Sequence, residues 1–154
     1  MKKYLVIGNP INHSLSPELH NHWIKQSGLN AIYEKKKLDN NELESLISDV
    51  KRGNISGVNV TVPFKNAVIP YLDELSDEAK KTQSVNTIYL KDKKIIGHNT
   101  DIEGFENAIK KINFDFKNKK IFILGAGGVV PSIIYASMKM NSSEIFVSNR
   151  TSEK

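Results

Sequence analysis

Cysteine is absent from this chain of 154 residues, which excludes disulfide staples and thiolate chemistry. Arginine is nearly absent: of 22 basic residues only two, Arg52 and Arg150, carry a guanidinium. The others are lysines, scattered along the chain without the aromatic-interleaved basic stripe that nucleic-acid binding favours. A net charge of +5 therefore suits solubility and small anionic ligands, and no nucleic-acid partner is expected. No apolar run approaches the roughly 20 residues that a membrane-spanning helix needs. Tyr4 to Ile7, behind Met1-Lys2-Lys3, is too short for a secretory signal. The expectation is a cytoplasmic protein without a membrane partner. Internal repeats and low-complexity tracts are lacking too. No metal is expected either. His20 and His22 lie two apart in a helical stretch and face different ways, and His13 and His98 have no histidine or carboxylate at ligand spacing.

What is present begins with Asn59-Val60-Thr61-Val62-Pro63-Phe64-Lys65. Ile55 to Val62 alternates apolar and small polar residues, which predicts a strand. Pro63 cannot donate to a sheet ladder and ends it. Asn59, Thr61 and Lys65 then stand near a strand's carboxyl end, where open α/β sheets bind ligands. An amide, a hydroxyl and an ammonium group suit a polyol or a carboxylated ring; the plain alternative is a strand edge with a solvated lysine.

Upstream, Tyr4 to Gly8 predicts a buried strand, and Ser16 predicts the N-cap of a helix opened by Pro17. Leu19, Trp23 and Ile24 give that helix its apolar face, and Gly28 ends it. Ser14 and Ser16 at a helix start also make a site for an anion such as a carboxylate. Simple capping explains Ser16 but leaves Ser14 over. Ile32 to Lys37 is a second strand. A capping box (Asp39, Glu42) and a staple (Leu38, Leu43) then open a helix with Leu46, Ile47 and Val50 on its buried face.

Downstream of Lys65 the pattern gives a helix from Ser76 to Lys81. A hairpin follows, with strands Val85 to Leu90 and Lys94 to Gly97, and delivers Gly97-His98-Asn99-Thr100-Asp101 to a helix from Ile102 to Ile112. Thr100 and Glu103 fit a capping box, which by itself explains Asp101 in the first turn. Lys120 to Leu124 predicts a buried parallel strand, followed at once by Gly125-Ala126-Gly127-Gly128. A helix from about Val129 to Met140 and a strand from Glu144 to Ser148 complete a βαβ unit. In that context the glycines read as a dinucleotide fingerprint, although Val130 stands where a third glycine is usual. After the second strand comes Asn149-Arg150-Thr151, where NAD-binding folds place an acidic residue. Arginine there suits a 2′-phosphate and points to NADP.

Taken in order, these motifs resemble the shikimate dehydrogenase family. The resemblance runs through Gly8-Asn9-Pro10, His13-Ser14-Leu15-Ser16-Pro17, His20-Asn21, Asn59 to Lys65 and Val85-Asn86-Thr87. It continues through Gly97 to Asp101, Gly125 to Gly128 and Asn149 to Thr151. It implies an α/β substrate-binding domain over residues 1–100 and, over 101–154, an incomplete Rossmann domain for NADP represented by its first βαβ unit. The implied activity is NADPH-dependent reduction of 3-dehydroshikimate to shikimate in aromatic amino-acid biosynthesis. Alternatives are an NAD-preferring quinate/shikimate dehydrogenase and a non-catalytic fragment that binds substrate or dinucleotide without turnover. Family members continue past this length, so the chain is expected to be a fragment or partial sequence, and a homodimer is open to it.

By the same resemblance, Lys65 and Asp101 would form the catalytic pair. Ser14 and Ser16 would hold the substrate carboxylate, and Asn59, Thr61, Asn86 and Asp101 its ring hydroxyls. Gly125, Ala126, Gly127 and Gly128 would face the pyrophosphate, with Asn149, Arg150 and Thr151 at the 2′-phosphate.

Overall fold

Strand-forming apolar runs, each closed by a glycine or polar turn, build one sheet of six strands in the computed structural model, which describes residues 1–151. Strand β1 (Lys2–Gly8) leads into helix α1 (Ser16–Gln26), and β2 (Ala31–Lys37) into α2 (Leu43–Lys51) through a 3-10 turn at Asn40–Glu42. Then come β3 (Gly57–Val60), α3 (Phe64–Ala67), β4 (Glu74–Leu75) and α4 (Asp77–Thr82). The hairpin β5 (Thr87–Lys91) and β6 (Lys94–His98) precedes α5 (Asp101–Lys111). The sheet order is β2-β1-β3-β5-β6-β4. Strands β1, β2 and β3 are parallel, β5 runs antiparallel to β3 and β6, and β4 lies parallel to β6. The carboxyl ends of β1, β3 and β6 and the amino end of β5 thus meet along one edge.

Alternation along β1 shows why both faces are covered. Leu5 and Ile7 enter the larger core with Leu43, Leu46, Ile47 and Val50 of α2, whereas Val6 packs with Ile11 and Tyr33, and with Ile24 of α1, on the opposite face. The hairpin closes on Asp92 and Lys93, both at positive φ (50° and 64°), as a two-residue type I′ turn requires.

A second, two-stranded parallel sheet pairs β7 (Lys120–Leu124) with β8 (Glu144–Ser148), joined by α6 (Val130–Lys139). Helix α6 packs against α5 and α4, and Lys139 pairs with Glu106 of α5 at 2.6 Å. Among the described residues no helix is long and apolar enough to cross a membrane.

Several expectations need correction. The strand expected over Ile55 to Val62 is only Gly57–Val60, because Ile55 and Ser56 belong to the turn after α2, where the Ser56 N–H bonds to the Lys3 carbonyl. Likewise β5 begins at Thr87, not Val85. Leu19 and Trp23 do not form a buried face on α1: each is 49% exposed, and only Ile24 reaches the core. Lys120 to Leu124 is not a buried strand. Phe122 and Leu124 are 64% and 80% exposed, because a two-stranded sheet leaves one face open.

Two caps also differ, and the box at Asp39 forms as expected. Position N-cap of α1 is Leu15, and the Ser16 side chain does not cap; instead Ser14 Oγ accepts the Ser16 N–H at 3.3 Å. Ser14 therefore has a local structural job, contrary to the expectation that capping leaves it over. The box at Thr100 and Glu103 does not form, because Thr100 bonds to Asn86 instead. At Asp39 the Glu42 carboxylate accepts the Asp39 N–H at 2.8 Å, and the staple residues Leu38 and Leu43 are both buried.

Candidate functional site

Parallel strands β1 and β3 release their chains side by side at the shared edge, so Ser14 and Ser16 follow one strand end while Thr61 and Lys65 follow the next. Gly8 makes that closeness possible: a Cβ there would meet Thr61 Cγ2 at 2.7 Å. Pro63 turns the chain into α3, and the first turn of that helix carries Lys65. From β6, the end of the antiparallel hairpin brings Asp101 to the same place, at the start of α5, where the helix dipole favours a carboxylate.

Lys65 Nζ donates to Asp101 Oδ2 at 2.6 Å. Their side chains are 13% and 22% exposed, so the pair is mostly withdrawn from water yet reachable. A withdrawn ion pair adds little net stability, since desolvation offsets most of the attraction; this one stands at a strand-end cleft, where open α/β sheets bind ligands. Asn86 Nδ2 donates to Asp101 Oδ1 and to Thr100 Oγ1, at 2.8 Å each, and its Oδ1 accepts the Thr100 N–H at 3.0 Å. Asn59 Nδ2 reaches the Asn86 carbonyl and Thr87 Oγ1, both at 3.3 Å. Lys65, Asp101, Asn86 and Asn59 are therefore one connected polar cluster. Thr61 lies beside Gly8. Ser14 and Ser16 stand on the same edge, and their one side-chain hydrogen bond among the described residues is the local one between them.

The network extends to residues that sequence reasoning passed over. Tyr33, read only as a strand residue, is buried and donates its hydroxyl to Asn59 Oδ1 at 2.7 Å. Burial pushes its pKa up to about 12, so it stays a donor at neutral pH. Its ring stacks on His20 at 4.1 Å between centroids, and burial lowers the His20 pKa below its ordinary value. Asn21 holds the Tyr33 backbone at both ends, donating to its carbonyl at 2.8 Å and accepting its N–H at 2.9 Å. Asn99, quoted above only as part of a motif, is buried and accepts the Asp101 N–H at 2.9 Å. A polar residue continuing a buried strand was the available signal.

Opposite Lys65 lies the glycine turn. A cleft of about 450 Å³ has Pro63, Lys65 and Ser84 on one side and Ala126, Gly127 and Gly128 on the other. Gly125 holds φ +102°, and a Cβ on Gly125 or Gly127 would meet nothing within 4 Å. The backbone there is open to close approach by a phosphate-bearing ligand. A Cβ on Gly128 would come within 3.8 Å of Lys65 Cδ. Val130, in place of a third glycine, is buried as the first residue of α6. Asn149 Oδ1 accepts the Ala126 N–H at 3.2 Å and its Nδ2 donates to the Thr151 carbonyl at 2.8 Å. Asn149 thus ties the glycine turn to the end of β8, while Arg150 and Thr151 are exposed beside it. Among the described residues no group of three or more His, Asp or Glu side chains gathers as for a metal ion.

Comparison with known proteins agrees with this geometry. The family described as shikimate dehydrogenase substrate binding domain matches residues 6–88. A shikimate dehydrogenase (NADP(+)) of Pelagibacter ubique is 59% identical over 153 residues, covering 99% of the chain and 58% of the relative. The crystal structure of shikimate dehydrogenase from Aquifex aeolicus superposes with a TM-score of 0.92 at 41% identity, covering 99% of this chain and 57% of that one. The shikimate 5-dehydrogenase of Thermus thermophilus, in complex with NADP(H) and shikimate, gives 0.88 at 33% identity, with coverage of 99% and 57%. The chain spans somewhat over half the length of these relatives.

Proposed function

Because the chain belongs to the shikimate dehydrogenase family, we propose that it forms the substrate-holding and proton-handling part of an enzyme interconverting 3-dehydroshikimate and shikimate with NADP(H). The observation that carries this reading is Lys65, paired with Asp101 at 2.6 Å and facing a glycine turn across one cleft. The relatives named for this NADP-dependent activity, and the one solved with both ligands, support it.

Residues 1–100 are proposed as the substrate-binding domain, and residues from 101 as the start of the NADP-binding one; the packing of α5 on α6 favours assigning α5 to the second. Ser14 and Ser16, at the start of α1, would hold the ring carboxylate. Asn59, Thr61, Asn86 and Asp101 would accept or donate to the ring hydroxyls, with the Asn59 and Asn86 amides already oriented by Tyr33 and Thr100. The residues of the glycine turn fit a pyrophosphate, and Arg150 fits a 2′-phosphate through charge and forked geometry. NADPH, when bound, supplies the hydride.

The chain's own task is the proton. As the substrate carbonyl becomes an alcohol, its oxygen must gain a proton, and in the reverse direction lose one. Lys65 stands at the cleft wall to give or take it. Asp101 holds the ammonium in place and is itself held by Asn86 and by the Asn99 side chain. An ordered chain of donors at the reacting oxygen lowers the cost of reorganisation.

A full-length enzyme, made by continuing this chain with the remainder of the Pelagibacter relative, tests the reading. It should oxidise shikimate with NADP and reduce 3-dehydroshikimate with NADPH, and prefer these to quinate and NAD. Turnover of quinate with NAD at a higher kcat/KM than shikimate with NADP would assign it to the alternative activity.

A further inference from the structure

Five polar residues are buried among the described ones: Thr82, Ser84, Asn99, Ser132 and Ser137. Ser137 is satisfied inside its own helix, donating to the Ile133 carbonyl at 2.8 Å. The other four converge. Asn99 Nδ2 lies 2.8 Å from Ser132 Oγ, 2.9 Å from the Ser84 carbonyl and 3.2 Å from Thr82 Oγ1. Its Oδ1 accepts the Asp101 N–H at 2.9 Å. Ser84 also donates its hydroxyl to the Gly128 carbonyl at 3.3 Å. One carboxamide, 1% exposed, thus links three places: the backbone of Asp101, the segment after α4, and the first turn of α6 just beyond the glycine turn.

The amide can serve this node in one orientation only. Turned over, its NH2 would face the Asp101 N–H, donor against donor, and its oxygen would face the Ser84 carbonyl. Buried as it is, neither group could turn to water. Asn99 is therefore a rigid connector and not a hinge. The two sheets share no strand pairing; Lys65, the partner of Asp101, lines one wall of the cleft, and Gly128 and Pro131, at the start of α6, line the other.

We propose that Asn99, through Ser132, is a positioning residue that sets the distance between the Lys65–Asp101 pair and the helix carrying the glycine turn. It touches neither ligand. It fixes where the nucleotide-side wall stands relative to the group that handles the proton. Transfer between two bound reactants is steeply sensitive to such placement, of order 10²-fold for a displacement of about 1 Å.

This inference rests on the proposed NADP-dependent activity, and the experiment separates the two. In the full-length enzyme, Ser132→Ala removes the cross-wall bond but leaves the Asn99 bond to Asp101, and loses only one oxygen from a buried site. The readouts are kcat per titrated active site, both KM values, and the primary deuterium isotope effect with shikimate labelled at the reacting carbon. We expect kcat to fall about tenfold, the isotope effect to rise, and the KM for shikimate to stay within about twofold. Asn99→Ala should show the same signature, and the double variant should be scarcely worse than either single one. An unchanged isotope effect with kcat per site intact, or effects of the two substitutions that simply multiply, would overturn the proposal and leave the activity standing. Should Asn99→Ala fail to fold, the Ser132→Ala result decides alone. A parent enzyme without turnover of shikimate would overturn the activity and the positioning role together.

Discussion

The six-stranded sheet and the two-stranded one solve the same burial problem to different depths. In the first, α1 covers one face and α2 with its neighbours the other, and residues such as Ile7, Leu46, Val50 and Ile88 are closed off from water. In the second, alternation gives one face with Ile121, Ile123 and Ile145 partly covered, and another with Phe122, Leu124 and Phe146 open. The lesson is about where precision can be held. The Lys65–Asp101–Asn86–Asn59 cluster stands on the edge of the closed sheet, where strand ends and buried amides leave little freedom. The glycine turn stands on the open unit, which hydrogen bonds from Ser84 and Asn99 tie to the first.

The proposed function gives proton handling to the first unit and dinucleotide binding to the second, and Lys65→Ala tests that division most strongly. In the full-length enzyme it should reduce kcat by about 10²–10⁴ while leaving the NADPH dissociation constant unchanged. An equal loss of NADPH binding, by fluorescence titration, would break the division. The packing difference is next. In urea unfolding of this chain, Leu46→Ala, at 1% exposure, should cost about 2–5 kcal/mol, whereas Phe122→Ala, at 64%, should change stability by about 0.5 kcal/mol or less. Comparable losses would mean that the second sheet's outer face is covered in solution.

Arg150→Glu sharpens the comparison from the nucleotide side. Loss of a charge-assisted pair predicts a KM for NADPH raised about 10–100-fold, with NADH little affected. Equal shifts for both cofactors would remove Arg150 from the phosphate. On the substrate side, Ser14→Ala should weaken shikimate binding by about 1–3 kcal/mol, and an analogue lacking the carboxylate should not sense the change. The smallest effect concerns His20. Its folded pKa lies below 6.5 because burial disfavours the charged ring. As pH falls through the window between 6.5 and the lower folded value, the unfolded chain takes up a proton that the folded one does not. Stability is therefore full above pH 6.5 and declines below it, and His20→Gln should flatten that decline in urea midpoints measured from pH 7.5 to 5.

Much of this was legible because local chemistry decides it. The hairpin between Leu90 and Lys94, the stop at Gly28 and the strand into Gly125 all follow from backbone preferences within a few residues. What escaped is non-local. The Asn99–Ser132 bond spans 33 residues and Tyr33–Asn59 spans 26, and no spacing rule announces either. The caps failed for a related reason. Thr100 had a suitable partner in Glu103, but Asn86, 14 residues away, offered its side chain both a donor and an acceptor. On α1 the apolar spacing was real; it was simply not used for burial at Leu19 and Trp23.

Strand β2 closes one side of the six-stranded sheet, and such a border is a template on which another chain could add itself. At Tyr33 the outward-facing N–H and carbonyl are already taken by the two ends of the Asn21 carboxamide. That side chain imitates the peptide group of an incoming strand and occupies its place. Beyond it, Glu34 and Lys35 to Lys37 present charge along the same border. Asn21 thereby leaves no free backbone donor or acceptor at Tyr33 for an added strand to pair with.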